Sequence, residues 1–211
     1  MPTRVKICGI TRAEDVQLAI EFGASALGFN FYAPSPRYIT AEAAREIIRA
    51  VPPLVMAVGI FADETSTEAV LKVARAAGVS AIQLHGLGIG NGLDWPLPLI
   101  RAISVDENFV PEQLQGNRDS AILLDASHPT LKGGTGRTID WAKAREATRY
   151  ARVILAGGLT PENVCEAVRQ VRPFAVDVAS GVESSPGIKD AVKLRTFFDA
   201  VWEADKGNAD D

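Results

Sequence analysis

Short apolar runs alternate with stretches of helical period along the chain. Strand-length runs fall at 4–8, 26–29, 54–61, 81–84, 97–103, 121–125, 153–155 and 174–178. Between them, apolar residues recur at three- and four-residue spacings over 11–22, 40–50, 65–77, 140–149, 161–170 and 189–203. The last of these carries Leu194, Phe197, Phe198 and Val201 along one face. Thr11-Arg12-Ala13-Glu14 reads as a capping box before the first helix. Thr160-Pro161 reads as a helix start, a capping hydroxyl followed by proline. The links after the fourth and fifth runs are glycine-rich or short, which predicts a single turn or irregular chain in one or both.

A faint repeat supports this division. Phe22-Gly23-Ala24-Ser25-Ala26-Leu27 is echoed by Ala77-Gly78-Val79-Ser80-Ala81-Ile82, each a helix stop feeding a strand. Strand-helix units repeated in this way predict a single (β/α)8 TIM barrel over 1–204, followed by a polar, disordered tail over 205–211. A doubly wound open sheet would offer fewer strands and a nucleotide fingerprint. No G-x-G-x-x-G, G-x-x-x-x-G-K-[ST], G-x-S-x-G or H-E-x-x-H occurs. Gly86, Gly88, Gly90 and Gly92 are evenly spaced without a capped helix after them and read as a flexible loop.

Composition agrees with one soluble domain: 211 residues, 47% hydrophobic and 23% charged, are enough for one sizeable core. The net charge of −4 comes without a dense basic stripe, which argues against nucleic acid and anionic membranes and leaves a small molecule as the expected partner. Met1-Pro2-Thr3-Arg4 runs directly into the first strand, and no apolar run approaches the roughly 18 residues of a membrane span. A cytoplasmic protein, monomer rather than homodimer, is expected. Cys8 and Cys165 fall on separate elements with neither metal-ligand spacing nor a disulfide framework, so both are expected reduced and no metal is implied.

In a barrel of this kind, chemistry is read from the C-terminal ends of the strands. Arg4, Lys6 and Cys8 share one face of the first strand and Val5 and Ile7 the other, so Cys8 is the last side chain on its face. It is either a small core residue or a reactive thiol. Asp125 closes an apolar strand, a costly place for an acid unless it braces a loop or does chemistry. Gly134 and Gly136 follow in a loop able to fold down as a lid. Arg37, in Ser35-Pro36-Arg37-Tyr38, is either a surface cation or a fork for a carboxylate. Gly157-Gly158 and Ser180-Gly181 leave the seventh and eighth strands as small-residue loops, suited to a phosphate or simply to tight turns. His85, after the fourth strand, reads as a hydrogen-bonding neighbour rather than a catalyst.

Taken together these stretches resemble the phosphoribosylanthranilate isomerase family of tryptophan biosynthesis. The matching segments are Lys6-Ile7-Cys8-Gly9-Ile10-Thr11, Ser35-Pro36-Arg37-Tyr38, Val58-Gly59-Ile60-Phe61, Gln83-Leu84-His85-Gly86, Leu124-Asp125, Gly133-Gly134-Thr135-Gly136, Ala156-Gly157-Gly158-Leu159 and Asp177-Val178-Ala179-Ser180-Gly181-Val182-Glu183, in order from first strand to last. The resemblance implies that Cys8 is the general base, Asp125 the general acid and Arg37 the binder of the anthranilate carboxylate. Gly157, Gly158, Ser180 and Gly181 then hold phosphate, and His85, Asp177, Gly134 and Gly136 line the substrate. Two departures, Ile139 where the family more usually has phenylalanine and the glycine-rich loop from Gly86, bear on packing rather than chemistry.

The residues make chemical sense without the family. An Amadori rearrangement of an aminoaldose needs one acid to open the furanose and one base to take the C2′ proton, and no cofactor. The alternatives are the analogous phosphosugar isomerase of histidine biosynthesis and a non-catalytic phosphosugar-binding barrel. Against the first, strands three and four end in Phe61-Ala62-Asp63 and His85-Gly86, without a second glycine pair for another phosphate. Strand parity adds one expectation of its own. If Cys8 points inward then Lys6 does too, and Asp177 on the neighbouring eighth strand stands at the same height, so the two should form a buried ion pair under the catalytic floor.

Overall fold

The computed structural model of the chain describes residues 2–63, 66–86, 95–126 and 139–207. The strands are β1 (Arg4–Cys8), β2 (Ala26–Asn30), β3 (Met56–Ala62), β4 (Ala81–His85), β5 (Leu99–Val105), β6 (Ala121–Ala126), β7 (Val153–Leu155) and β8 (Ala175–Val178). They pair parallel in chain order, and β8 returns to β1, closing the expected (β/α)8 barrel. Outside it lie α1 (Ala13–Glu21), α2 (Ala41–Ile48), α3 (Thr67–Ala77), α4 (Trp141–Ala147), α5 (Val164–Val171) and α6 (Ala191–Gly207). The crossover after β5 is the 3-10 turn Pro111–Leu114, the short connector anticipated there.

Alternation along each strand sorts side chains into two separate apolar clusters. Val5, Ile7, Leu27 and Phe29 face outward and pack with Val164, Leu194 and Phe197 of the helices. The inner cluster is smaller: Val58, Ala81, Ile100, Ala121, Leu123, Ile154, Ala156 and Ala175. Half of these are alanine, which leaves the lumen room for the buried polar residues Lys6, Gln83 and Asp177.

Local signals fix several helix ends. The Thr40 hydroxyl accepts from Ala43 N–H, Ser66 caps α3 through Ala69, and Asp140 caps α4 through Ala142 and Lys143. Gly78, at φ +78°, ends α3 in the left-handed conformation. Two sequence expectations are corrected. Thr11 does not close a capping box: α1 is preceded by Arg12 with no side-chain cap, and the Thr11 hydroxyl donates instead to Gly187 O at 2.6 Å. Helix α5 starts at Val164, because Thr160 caps only a lead-in turn, accepting from Glu162 N–H at 3.3 Å, while Asn163 Nδ2 donates to Gly158 O.

The last unit also departs from expectation. Residues 183–185 and 188–189 form an antiparallel hairpin, β9 (Glu183–Ser185) and β10 (Ile188–Lys189), so Lys189 is a strand residue rather than the start of the last helix. Helix α6 then continues through Gly207, past the boundary placed at 204. Thr3 holds it there, donating from its N–H and its hydroxyl to the Asp205 carboxylate at 2.7 Å each. Among the described residues no helix is long and apolar enough to cross a membrane.

Candidate active site

Cys8 ends β1, half-buried, opposite Gly28 of β2. A Cβ on Gly28 would stand 3.3 Å from Cys8 Sγ and 2.8 Å from Ile60 Cδ1, so the sulfur has its space only because that position is glycine. One layer below, Lys6 and Asp177 stand in register on β1 and β8, with Lys6 Nζ 2.7 Å from Asp177 Oδ1 and both side chains buried. The ion pair expected from strand parity is there. Burial opposes the Lys6 charge, but Asp177 and Cys8 outweigh it and hold the ammonium above its ordinary value.

Burial pushes the Cys8 thiol up, and the nearby Asp177 adds to this. Lys6, Lys189 and Arg37 pull it down without reversing the outcome. Asp125 occupies the corresponding rim position on β6, its Oδ1 accepting from Ala126 N–H at 2.8 Å. Burial pushes its carboxyl up to about 6, aided by Asp177 and opposed by Ala126 N–H and Lys6. A carboxyl so placed is a serviceable proton donor near neutrality. Lys6 and Asp177 thus act electrostatically on both Cys8 and Asp125.

Arg37 lies on the loop between β2 and α2, its aliphatic stem packed over Gly9, whose φ of +76° and crowded Cβ position admit only glycine. The guanidinium is not an open fork. Its Nε and Nη2 donate to Glu183 at 2.9 and 2.7 Å, leaving Nη1 without a protein partner among the described residues. His85, at the end of β4, has Nε2 2.7 Å from Gln83 Nε2, while the buried Gln83 Oε1 has no hydrogen-bond partner.

The loops after β7 and β8 lie on the rim between Asp125 on β6 and Cys8 on β1. Gly157 and Gly158 adopt φ of +79° and +69°, and their N–H groups have no partner among the described residues. A Cβ on Gly157 would come within 2.6 Å of Ala126 N, beside Asp125. Ser180 and Gly181 open a short 3-10 turn, with Gly181 pressed against Leu159 O. Gly134 and Gly136 lie outside the described residues. Cys165, on α5, packs against the outer core.

Sequence reasoning gave no role to two residues that the structure places at the site. Glu183 bridges Arg37 and Lys189, and the Lys189 ammonium donates to Cys8 O at 2.5 Å. The signal that would have exposed them is Pro186-Gly187, a turn dipeptide inside what reads as the approach to a helix.

Against known proteins, the sequence model of N-(5'phosphoribosyl)anthranilate (PRA) isomerase matches residues 5–200. The N-(5'-phosphoribosyl)anthranilate isomerase of Trichlorobacter lovleyi is 48% identical over 206 residues, 95% of this chain and 98% of its own. Among solved structures, phosphoribosyl anthranilate isomerase from Thermotoga maritima is similar with a TM-score of 0.85 at 40% identity, covering 95% of this chain and 98% of its own. Another, with a TM-score of 0.78 at 38% identity over 95% of this chain and 98% of its own, is a phosphoribosyl anthranilate isomerase in complex with reduced 1-(o-carboxyphenylamino)-1-deoxyribulose 5-phosphate.

Proposed function

The chain belongs to the N-(5'-phosphoribosyl)anthranilate isomerase family, and we propose that Cys8 and Asp125 are the base and acid of its reaction. The enzyme is an isomerase of tryptophan biosynthesis, converting N-(5'-phosphoribosyl)anthranilate to 1-(2-carboxyphenylamino)-1-deoxyribulose 5-phosphate. Asp125 gives its proton to the furanose ring oxygen as the C1′–O bond breaks, leaving a protonated Schiff base. Cys8, as thiolate, removes the C2′ proton, and the electron pair moves to give an enolamine that tautomerises to the ketone. Nothing is oxidised or reduced overall, so the reaction needs no cofactor.

The observation that carries this reading is the pairing of a carboxyl held near pH 6 with a cation-flanked thiol on one barrel rim, both acted on by Lys6 and Asp177. The N–H groups of Gly157 and Gly158, unpartnered among the described residues, support a phosphate site shared with Ser180 and Gly181. Arg37 Nη1 takes the aromatic carboxylate, and His85 and Asp177 complete the substrate side, with Gly134 and Gly136 assigned to the covering loop. The protein works as a cytoplasmic monomer in this reading, in keeping with eight barrel strands that are all paired on both sides, the short hairpin β9–β10 standing apart from them. Turnover of phosphoribosylanthranilate, followed by the loss of its fluorescence, tests the reading, and a purified, folded protein without turnover would overturn it.

Two further outcomes follow from the assignments. Arg37→Ala should raise KM for phosphoribosylanthranilate while leaving the affinity for inorganic phosphate nearly unchanged; equal loss for both would move Arg37 to the phosphate end. The pH dependence has a definite sign. The reacting form has Cys8 ionised and Asp125 protonated, yet Asp125 titrates at about 6 and Cys8 above its ordinary value. Between those values the predominant form is the reverse, and the reacting form is its minor proton tautomer, at a constant share. kcat/KM should therefore rise as pH passes about 6, stay level to beyond about 8.5, and then fall. A decline beginning near 6 would mean that the thiolate is already formed and the assignment of proton states is wrong.

A further inference from the structure

Glu183 is a carboxylate only 6% exposed, on a hairpin that the chemistry itself does not use. It accepts from Arg37 Nε at 2.9 Å, Arg37 Nη2 at 2.7 Å, Lys189 Nζ at 2.8 Å and Gly187 N–H at 3.3 Å. Burial opposes its charge, but Arg37 and Lys189 outweigh this and hold the carboxyl below its ordinary value. Lys189, whose side chain is fully buried, donates further to Cys8 O at 2.5 Å and Ala179 O at 3.3 Å. The hairpin is tied from outside as well, by Thr11 Oγ1 on Gly187 O and Lys193 Nζ on Glu183 O, at 2.6 and 2.7 Å.

A buried carboxylate with two cations around it is an expensive way to hold a hairpin down, since apolar side chains of similar volume do so without desolvating charge. What the charges add is orientation. Glu183 occupies the Nε and Nη2 edge of the Arg37 guanidinium and leaves Nη1 without a protein partner among the described residues. An arginine gripped in this way loses less rotamer freedom when it meets a ligand.

We infer that Glu183 is the positioning residue for Arg37, holding the guanidinium so that Nη1 meets the carboxylate of the substrate's aromatic ring, and that through Lys189 it locks the end of β1 bearing Cys8 to the loop after β8. The inference rests on the reading of Arg37 as the carboxylate binder. For Glu183→Gln, which keeps Lys189 and its contacts to Cys8 O and Ala179 O, it predicts a defect in one end of substrate binding rather than in proton transfer.

The test uses Glu183→Gln and the double variant Glu183→Gln/Lys189→Met, which removes the stranded cation and restores charge balance without restoring the clamp. In both, KM for phosphoribosylanthranilate should rise by about 10- to 100-fold, the scale of a misplaced binding group; kcat should change less than about threefold in Glu183→Gln and fall further in the double variant, where Cys8 also loses the pull of the Lys189 cation. Inhibition by inorganic phosphate should be unchanged. In an Arg37→Ala background, Glu183→Gln should raise KM no further. An unchanged KM in both variants, a KM recovered with thermal stability in the double variant, or an equal loss of phosphate affinity overturns the inference. If Arg37→Ala itself leaves KM unchanged, the assignment of Arg37 fails, and the inference fails with it.

Discussion

Cys8→Ser and Asp125→Asn should each lower turnover by about 10²- to 10⁴-fold, the scale of a lost general base or acid. A serine hydroxyl keeps the shape of the thiol but gives up its proton far less readily, and asparagine keeps the hydrogen bond from Ala126 N–H but has no proton to deliver. The two variants should part company in stability. Asp125 has its value raised from 3.8 to about 6, so the fold prefers the protonated acid, and stability is lost as pH rises through that interval. At pH 7 the full penalty stands, on the order of 1 to 3 kcal/mol after allowing for partial exposure. Asp125→Asn should therefore be more stable than the parent at pH 7 by about that amount and level with it near pH 3 to 4. Denaturant melts at the two pH values, beside the fluorescence assay, give both readouts. Near-normal turnover in either variant would sink the acid–base assignment.

The second large effect concerns the pair beneath them. Lys6→Met and Asp177→Asn should each cost about 3 to 5 kcal/mol, because the surviving partner keeps its burial and loses its compensation. The double variant Lys6→Met/Asp177→Leu removes both charges and should recover much of that stability. It should not recover activity, since Cys8 has then lost one of the cations that draw its thiol toward ionisation. With Lys6 held above its ordinary value, the lysine's contribution is complete below about pH 10.4 and declines as pH climbs through the raised value. Chemical denaturation at pH 7 decides the matter: single variants within about 1 kcal/mol of the parent would show that the pair does not anchor the barrel floor.

How far these features were legible depended on the range of the forces that set them. Lys6 and Asp177 were legible because a two-residue period and a closed sheet fix which side chains share a height, and the ladder pairs them directly. Cys8 and Asp125 were legible for the same reason, as last residues of inward faces. Apart from the start of α5, where the partners are local, the misreadings involve partners distant in sequence or an element too short to show a period. Thr11-Arg12-Ala13-Glu14 has the composition of a capping box whether its hydroxyl caps α1 or reaches Gly187 O, 176 residues away. Arg37 looks like an open fork until Glu183 folds over from beyond β8. Lys189 sits beside a genuine helix, and a two-residue strand is too short to show any period.

The barrel wall also divides the molecule's capacity for change. The outer apolar cluster and the lumen cluster share no residue, and only backbone lies between them. Repacking around Phe197, Phe198 or Val201 alters the grip of the last helix on the sheet. Next to Ala156 of the lumen cluster, a Cβ on Gly157 would stand 2.6 Å from Ala126 N, so that position has no room for a side chain. Adaptation to a hotter or colder habitat therefore has an open route through the shell, whereas a methyl group at Gly157 is admitted only by moving the loop beside Asp125.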